Sequence, residues 1–140
     1  MWWLFVIIGI IALLILVFLL MDFPNRKEIK NLSFDNQVFA DLQDGVYQGE
    51  FVGEKGHMRD TVVEITVVQG KVDSFKIIKG AIGKEGKEIK LTKGSTISDL
   101  FNECLKCQSF DVDVISGATI TSKAHMKALE LALKKAAKIQ

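Results

Sequence analysis

From Trp2 to Met21 the chain carries no charged residue, and nearly every position is Leu, Ile, Val, Phe or Trp. About 20 apolar residues in a helix cross the hydrocarbon core of a bilayer, and this run has that length. Trp2 and Trp3 stand at one end, where indole rings favour the headgroup region. A buried core helix is the competing account, and the unbroken length weighs against it. A cleavable secretory signal would combine a charged leader, an apolar stretch of about 7–15 residues and a small-residue cleavage site. No basic residue precedes this run, Leu19-Leu20-Met21-Asp22-Phe23-Pro24 offers no such site, and no Cys follows directly for lipoprotein processing. The expectation is a single N-terminal transmembrane helix, residues 1–21, retained as a signal anchor.

All of the charge lies beyond it. Eighteen Lys and Arg and seventeen Asp and Glu give a net charge of +1 at pH 7, with the two signs interspersed. That balance provides no basic stripe for nucleic acid and no acidic tail, so no nucleic-acid partner is expected. The roughly 120 residues after the anchor suffice for one small domain. Arg26, Lys27 and Lys30 follow the anchor while nothing basic precedes it. The positive-inside tendency alone would therefore keep this domain in the cytoplasm.

Residues 22–43 mix polar positions with isolated apolar ones and contain the only Pro, Pro24. They read as a stalk or linker into a domain at 44–140, with Phe34, Phe39 and Leu42 able to dock as a short helix. Val46 to Phe51 alternates between Gly45 and Gly53, as a short strand should. Thr61 to Val68 is rich in β-branched residues, with Val63, Ile65 and Val67 on one face. Gln69-Gly70 supplies a two-residue turn, and Lys71 to Lys79 answers with Val72, Phe75, Ile77 and Ile78. Gly80, Gly83, Gly86 and Gly94 are then interleaved with Lys84, Lys87, Lys90 and Lys93. A loop of this kind can cradle phosphate, but the P-loop spacing is absent and a solvated loop is the simpler account. Ser98 is a candidate N-cap for a helix ending near Cys107, with Ile97, Leu100, Phe101 and Leu105 inward. Ser109 to Ile115 has extended character, and Lys123 to Ile139 is an amphipathic helix ending in Lys134, Lys135 and Lys138. Strands first and helices second predict an α+β domain, an antiparallel meander with helices packed on one face.

Between the last extended segment and the last helix lies Asp113-Val114-Ile115-Ser116-Gly117-Ala118-Thr119-Ile120-Thr121-Ser122, with four hydroxyls within seven positions. A helix start leaves backbone N–H groups unpaired and carries positive dipole, so it favours an anion such as phosphate. Gly117 and Ala118 leave the backbone bare for close approach. The commoner use of such a turn is an ordinary cap, with Thr121 or Ser122 accepting a hydrogen bond from the first helical turn. Both accounts stand on these residues. Cys104 and Cys107 form a CxxC pair that fits structural cysteines, a disulfide or a redox couple; near a helix end the dipole disfavours the thiolate a redox couple needs. A zinc site would need two more ligands, and His57 and His125 have no ligand spacing. Each histidine reads as a surface or cap residue, and Asp111 and Asp113 as solvated carboxylates. No nucleophile–base–acid set can be assembled, so no catalytic residue is assigned.

Asp113-Val114-Ile115-Ser116-Gly117-Ala118-Thr119 resembles the flavinylation motif of the FMN-binding domain family: Asp, two variable residues, Ser or Thr, Gly, Ala, Thr. That family includes the covalent-FMN subunits of sodium-pumping NADH:quinone oxidoreductase and of Rnf-type complexes, and small membrane-anchored domains of extracytoplasmic electron-transfer systems. Asp44-Gly45-Val46-Tyr47-Gln48-Gly49 resembles its opening strand, Val67-Val68-Gln69-Gly70-Lys71-Val72 its hairpin, and Gln108-Ser109-Phe110-Asp111-Val112-Asp113 the approach to the motif. The likeness covers residues 44 to 138. It implies that Thr119 is esterified through its side-chain oxygen to the phosphate of FMN by a separate Mg-dependent flavin transferase with FAD as donor. Ser116, Gly117, Ala118, Thr121 and Ser122 would surround the phosphate, and Asp113 would serve the modification. Leu91, Ile97 and Ile120 are candidates to cover the ring. The implied role is electron relay at the extracytoplasmic face of a bacterial cell membrane, between membrane redox partners such as quinone or NADH oxidoreductase components. A terminal flavin reductase for an external acceptor, a module binding a phosphorylated ligand reversibly and an accessory subunit with a vestigial motif are the alternatives. Cys104 and Cys107 are no part of the family pattern.

Overall fold

The computed structural model describes residues 1–137. Helix α1 spans Trp2–Lys30 and is long and apolar enough to cross a membrane, with none of its apolar window buried by the rest of the chain. Pro24 lies inside it; the proline ring removes the bond to the carbonyl of Leu20, near the end of the apolar run. Beyond that run the helix docks. Asp22, Asn25 and Ile29 are buried on one side of it. Arg59 donates from Nη1 to Asp22 Oδ1 (2.5 Å) and Asn25 Oδ1 (3.0 Å), and Asn25 Nδ2 donates to the Gly56 carbonyl (2.9 Å). The Glu28 carboxylate accepts the backbone N–H groups of Glu54 and Lys55. Residues 22–30 are thus helical and fastened to the loop after the first strand.

The following segment makes a 3₁₀ turn at Asn36–Phe39, started by Asp35 accepting from the Gln37 N–H. Val38, Phe39 and Leu42 are buried, and the rings of Phe34 and Phe39 close on Phe110 at 5.2 and 4.9 Å between centroids. Strands β1 (Gly45–Phe51), β2 (Thr61–Val68) and β3 (Lys71–Lys79) form an antiparallel sheet in that order. Gln69 and Gly70 both take positive φ, at 54° and 76°, as a tight primed hairpin requires. Along β2, Thr61, Val63, Ile65 and Val67 are buried and the intervening residues are not.

Helices α2 (Ile97–Cys107) and α3 (Thr119–Ala136) cover the buried face. Phe101 of α2 meets Phe75 of β3 edge-on at 5.3 Å. α3 carries Ala124, Ala128, Ala132 and Ala136 at four-residue spacing, all buried, so its backbone comes down onto the sheet. At Gly49 a Cβ would stand 2.0 Å from the Ala128 carbonyl oxygen and 2.3 Å from the Ala132 nitrogen. Glu130, 1 % exposed, is ion-paired to Lys127 (2.7 Å) and Lys134 (3.3 Å) and accepts the Asp35 N–H (3.2 Å), tying α3 to the 3₁₀ turn.

The α+β class and the meander with helices on one face are as the sequence predicts. Three local expectations change. The cap of α2 is Thr96, in a reciprocal box with Asp99; Ser98 is the second residue of the helix, and its N–H is taken up by the Glu88 carboxylate at 2.8 Å. Residues 109–115 join no ladder; side-chain acceptors hold them instead, Asn36 Oδ1 on the Phe110 N–H and Ser109 Oγ on the Asp111 N–H. α3 begins at Thr119, inside the hydroxyl-rich turn rather than after it, while Lys138 and Ile139 lie outside the described residues.

Candidate functional site

Three interactions set the turn. Phe110, wedged between Phe34 and Phe39, anchors the approach. The Ala118 N–H donates to the Ile115 carbonyl at 2.9 Å, closing a reverse turn over Ser116-Gly117. Gly117 takes φ 77°, and a Cβ there would lie 2.8 Å from Thr92 Oγ1. Backbone conformation and close approach to Thr92 therefore both demand glycine.

The cap position of α3 is Ala118, and no side chain caps the helix start. Neither Thr121 nor Ser122 is the N-cap, since the helix already runs through both. Ser122 is fully buried and its Oγ accepts the Ile115 N–H at 3.3 Å, so it ties the turn to the helix. The first-turn N–H groups of such an uncapped start favour negative charge.

The hydroxyl-bearing residues of the motif line different spaces. Thr119 and Ile120 line a cleft of about 590 Å³ whose other wall is α1, through Phe23, Arg26, Lys27 and Lys30, and its C-cap Asn31. Asp113 and Ser116 are exposed and line a separate groove of about 260 Å³ with Thr92, Lys93, Ser95 and Asp99 of the 92–99 segment. Thr121 lines a third cavity, of about 250 Å³, with Arg59, Gly80, Leu91 and His125. Of the apolar candidates for covering a ring, Ile120 stands in the Thr119 cleft and Leu91 in the third cavity. Ile97 is fully buried and reaches neither.

His125 differs from its expected surface or cap role: it is 2 % exposed. Its Nδ1 lies 2.7 Å from the Thr121 carbonyl, and its Nε2 accepts the Ala81 N–H at 2.9 Å. A carbonyl at one nitrogen and an N–H at the other fix the neutral tautomer with the proton on Nδ1. Burial pushes its pKa below the ordinary 6.5, outweighing the opposing help of the Thr121 carbonyl and Glu88. Gly80, at φ 138°, makes room, since a Cβ would stand 2.4 Å from Nε2. The signal in the sequence was its place on the apolar stripe of the helix, with Leu129 and Ala132 at helical spacing. The unfolded chain takes up a proton near pH 6.5 that the folded chain refuses, so stability falls as the pH drops below that value. The urea midpoint of wild type is therefore expected to fall more between pH 7.5 and 5.0 than that of His125→Gln.

Cys104 and Cys107 are free thiols on the last turns of α2. Cys104 is fully buried, and burial, aided by neighbouring negative charge, pushes its pKa up to about 12, leaving it a packed thiol. His57 is exposed and pairs with Asp60 through Nδ1 at 3.1 Å. Among the described residues no cluster of His, Cys, Asp and Glu is placed to hold a metal ion.

Residues 56–134 match the family described as FMN-binding domain. That span includes β2, β3, α2, the turn and nearly all of α3. No curated protein and no solved structure matches the chain.

Proposed function

Since the chain belongs to the FMN-binding domain family, its match spanning more than half of the sequence, we propose that FMN is held covalently on Thr119. On this proposal the protein is a membrane-anchored electron relay on the extracytoplasmic face. The observation that carries the proposal is the position of Thr119: first residue of an uncapped helix, lining a cleft of about 590 Å³. Cofactor pockets measure about 300–1,000 Å³, and the uncapped helix start suits a phosphodiester. Ile120 and Phe23 add apolar surface for a ring. The residues fit the group.

Thr119 Oγ1 gains a bond to the FMN-side phosphorus of FAD, the bridging P–O bond breaks, AMP leaves, and the hydroxyl proton is lost to a base. A separate Mg-dependent transferase performs this step. Asp113 is exposed on a groove away from the Thr119 cleft, a position suited to recognition by that enzyme rather than to contact with the ring. Bound FMN supplies the redox chemistry; the chain supplies attachment, shielding and tuning. Membrane components such as quinone or NADH oxidoreductase subunits are the exchange partners.

The outer-face orientation rests on the family likeness and runs against the charge bias of Arg26, Lys27 and Lys30. Those three line the cleft, so they have a local use besides topology. A Lys55→Cys variant labelled by an impermeant reagent on intact cells supports this face; labelling only after lysis places the domain inside. For the cofactor, coexpression with an active flavin transferase and mass spectrometry of the purified protein is the test. An FMN adduct on the peptide containing Thr119 is expected, and an apo mass overturns the proposal in favour of reversible binding of a phosphorylated ligand.

A further inference from the structure

The docked end of α1 has two faces. Asp22, Asn25 and Ile29 are buried against the domain, while Phe23, Arg26, Lys27 and Lys30 turn toward Thr119 and Ile120 across the cleft. Positions 23, 26, 27 and 30 follow the three- and four-residue spacing of one helix face. Arg26 is held by its Nε on Asp22 at 2.6 Å. Among the described residues no carboxylate pairs with Lys27 or Lys30.

Like charges three and four residues apart on a helix repel by about 0.2–0.5 kcal/mol per pair, so this face invites an anion. Across the cleft stands Thr119, the residue proposed to carry a phosphodiester. Resting on FMN attachment at Thr119, we infer that this face of α1 is the second wall of the flavin site. Lys27 and Lys30, with Arg26, neutralise the phosphodiester and tune the flavin, and Phe23 covers its ring. At 1.5 Å per residue, the wall occupies roughly the first 14 Å beyond the apolar run. The anchor is then a component of the site as well as a tether, and the cofactor stands at the level where the helix leaves the bilayer.

The test uses full-length flavinylated protein in neutral detergent. Lys27→Gln/Lys30→Gln removes two cations and leaves the Asp22–Arg26–Arg59 docking contacts in place. Lys84→Gln/Lys87→Gln makes the same charge change on an exposed loop. At a fixed ambient potential, the first pair is expected to lower the ratio of reduced to oxidised flavin roughly tenfold, a midpoint about 30 mV more negative for two electrons, with no change in the second. Equal shifts in both pairs, or none in either, overturn the inference. So does loss of binding to anionic phospholipid vesicles with the potential unmoved, which would assign the lysines to lipid headgroups. Phe23→Trp gives an independent reading: an indole against the ring quenches flavin emission, and undiminished emission overturns the wall. An adduct on Thr119 with these outcomes removes this inference alone, whereas a wild-type protein without adduct removes the proposed function as well.

Discussion

Thr119→Ala, coexpressed with an active flavin transferase, is expected to emerge at its apo mass and without flavin absorbance, a complete loss rather than a partial one. The three neighbouring hydroxyls do not substitute. Ser122 is buried and engaged with the Ile115 N–H, Thr121 lines the His125 cavity, and Ser116 lies on the groove with Asp113. Ser116→Ala and Thr121→Ala should therefore keep the adduct. Loss of the Thr119 hydroxyl should cost less than about 0.5 kcal/mol of stability, because it neither caps the helix nor fills the core. An unchanged urea midpoint would confirm that the chemistry, and not the fold, was removed. A flavin that persists covalently in Thr119→Ala would move the attachment to another residue. Normal electron transfer in the host with an apo protein would make the motif vestigial.

Gly49→Val is expected to be the most destabilising single change in the sheet, by about 3 kcal/mol or more. The atoms that a Cβ would meet are the Ala128 carbonyl oxygen and the Ala132 nitrogen, at 2.0 and 2.3 Å. Both belong to the backbone of α3, so no rotamer can turn aside and the whole helix must lift from the sheet. Stabilities of small domains run to about 5–15 kcal/mol, so the change consumes a large part of the total. Gly83→Ala is the control: its Cβ would make only an ordinary contact, 3.5 Å from the Lys87 carbonyl oxygen. Denaturant midpoints of the two variants against wild type measure the difference. A Gly49→Val midpoint within about 0.5 kcal/mol of wild type would mean that α3 does not sit this closely on β1. Because α3 also begins at Thr119, lifting it would disturb the candidate site at the other end of the helix.

The meander was legible because short-range signals agree along it. Alternation in β2, a two-residue turn ending in Gly70 and β-branched composition all specify the same hairpin, and the buried set Val63, Ile65 and Val67 follows from period two alone. The likeness to the flavinylation motif was legible for a different reason: a motif fixes the order of side chains whatever their orientation. Ser98 and Thr96 mark where that legibility ends. Both are good caps by type; Thr96 holds the position through its box with Asp99, and the Ser98 N–H, inside the helix, bonds to Glu88, a partner that no local pattern connects to it.

By itself the sequence determined an apolar N-terminal helix, an α+β domain with an antiparallel meander, and the order of residues from Asp113 to Thr119 that resembles the family's motif. These depend on neighbours along the chain, whose chemistry is fixed by covalent order. Only the tertiary structure decided which groups share a cavity. Direction along a helix and the docking of distant segments sent Thr119, Ser116 and Thr121 into three separate spaces, although they lie within six positions. The same packing buried His125 between the Thr121 carbonyl and the Ala81 N–H. It also brought Phe23, Arg26, Lys27 and Lys30, which in sequence read as stalk, across from the start of α3. Contacts between residues about ninety positions apart follow from how amphipathic faces settle on one another, and no spacing in the chain encodes them.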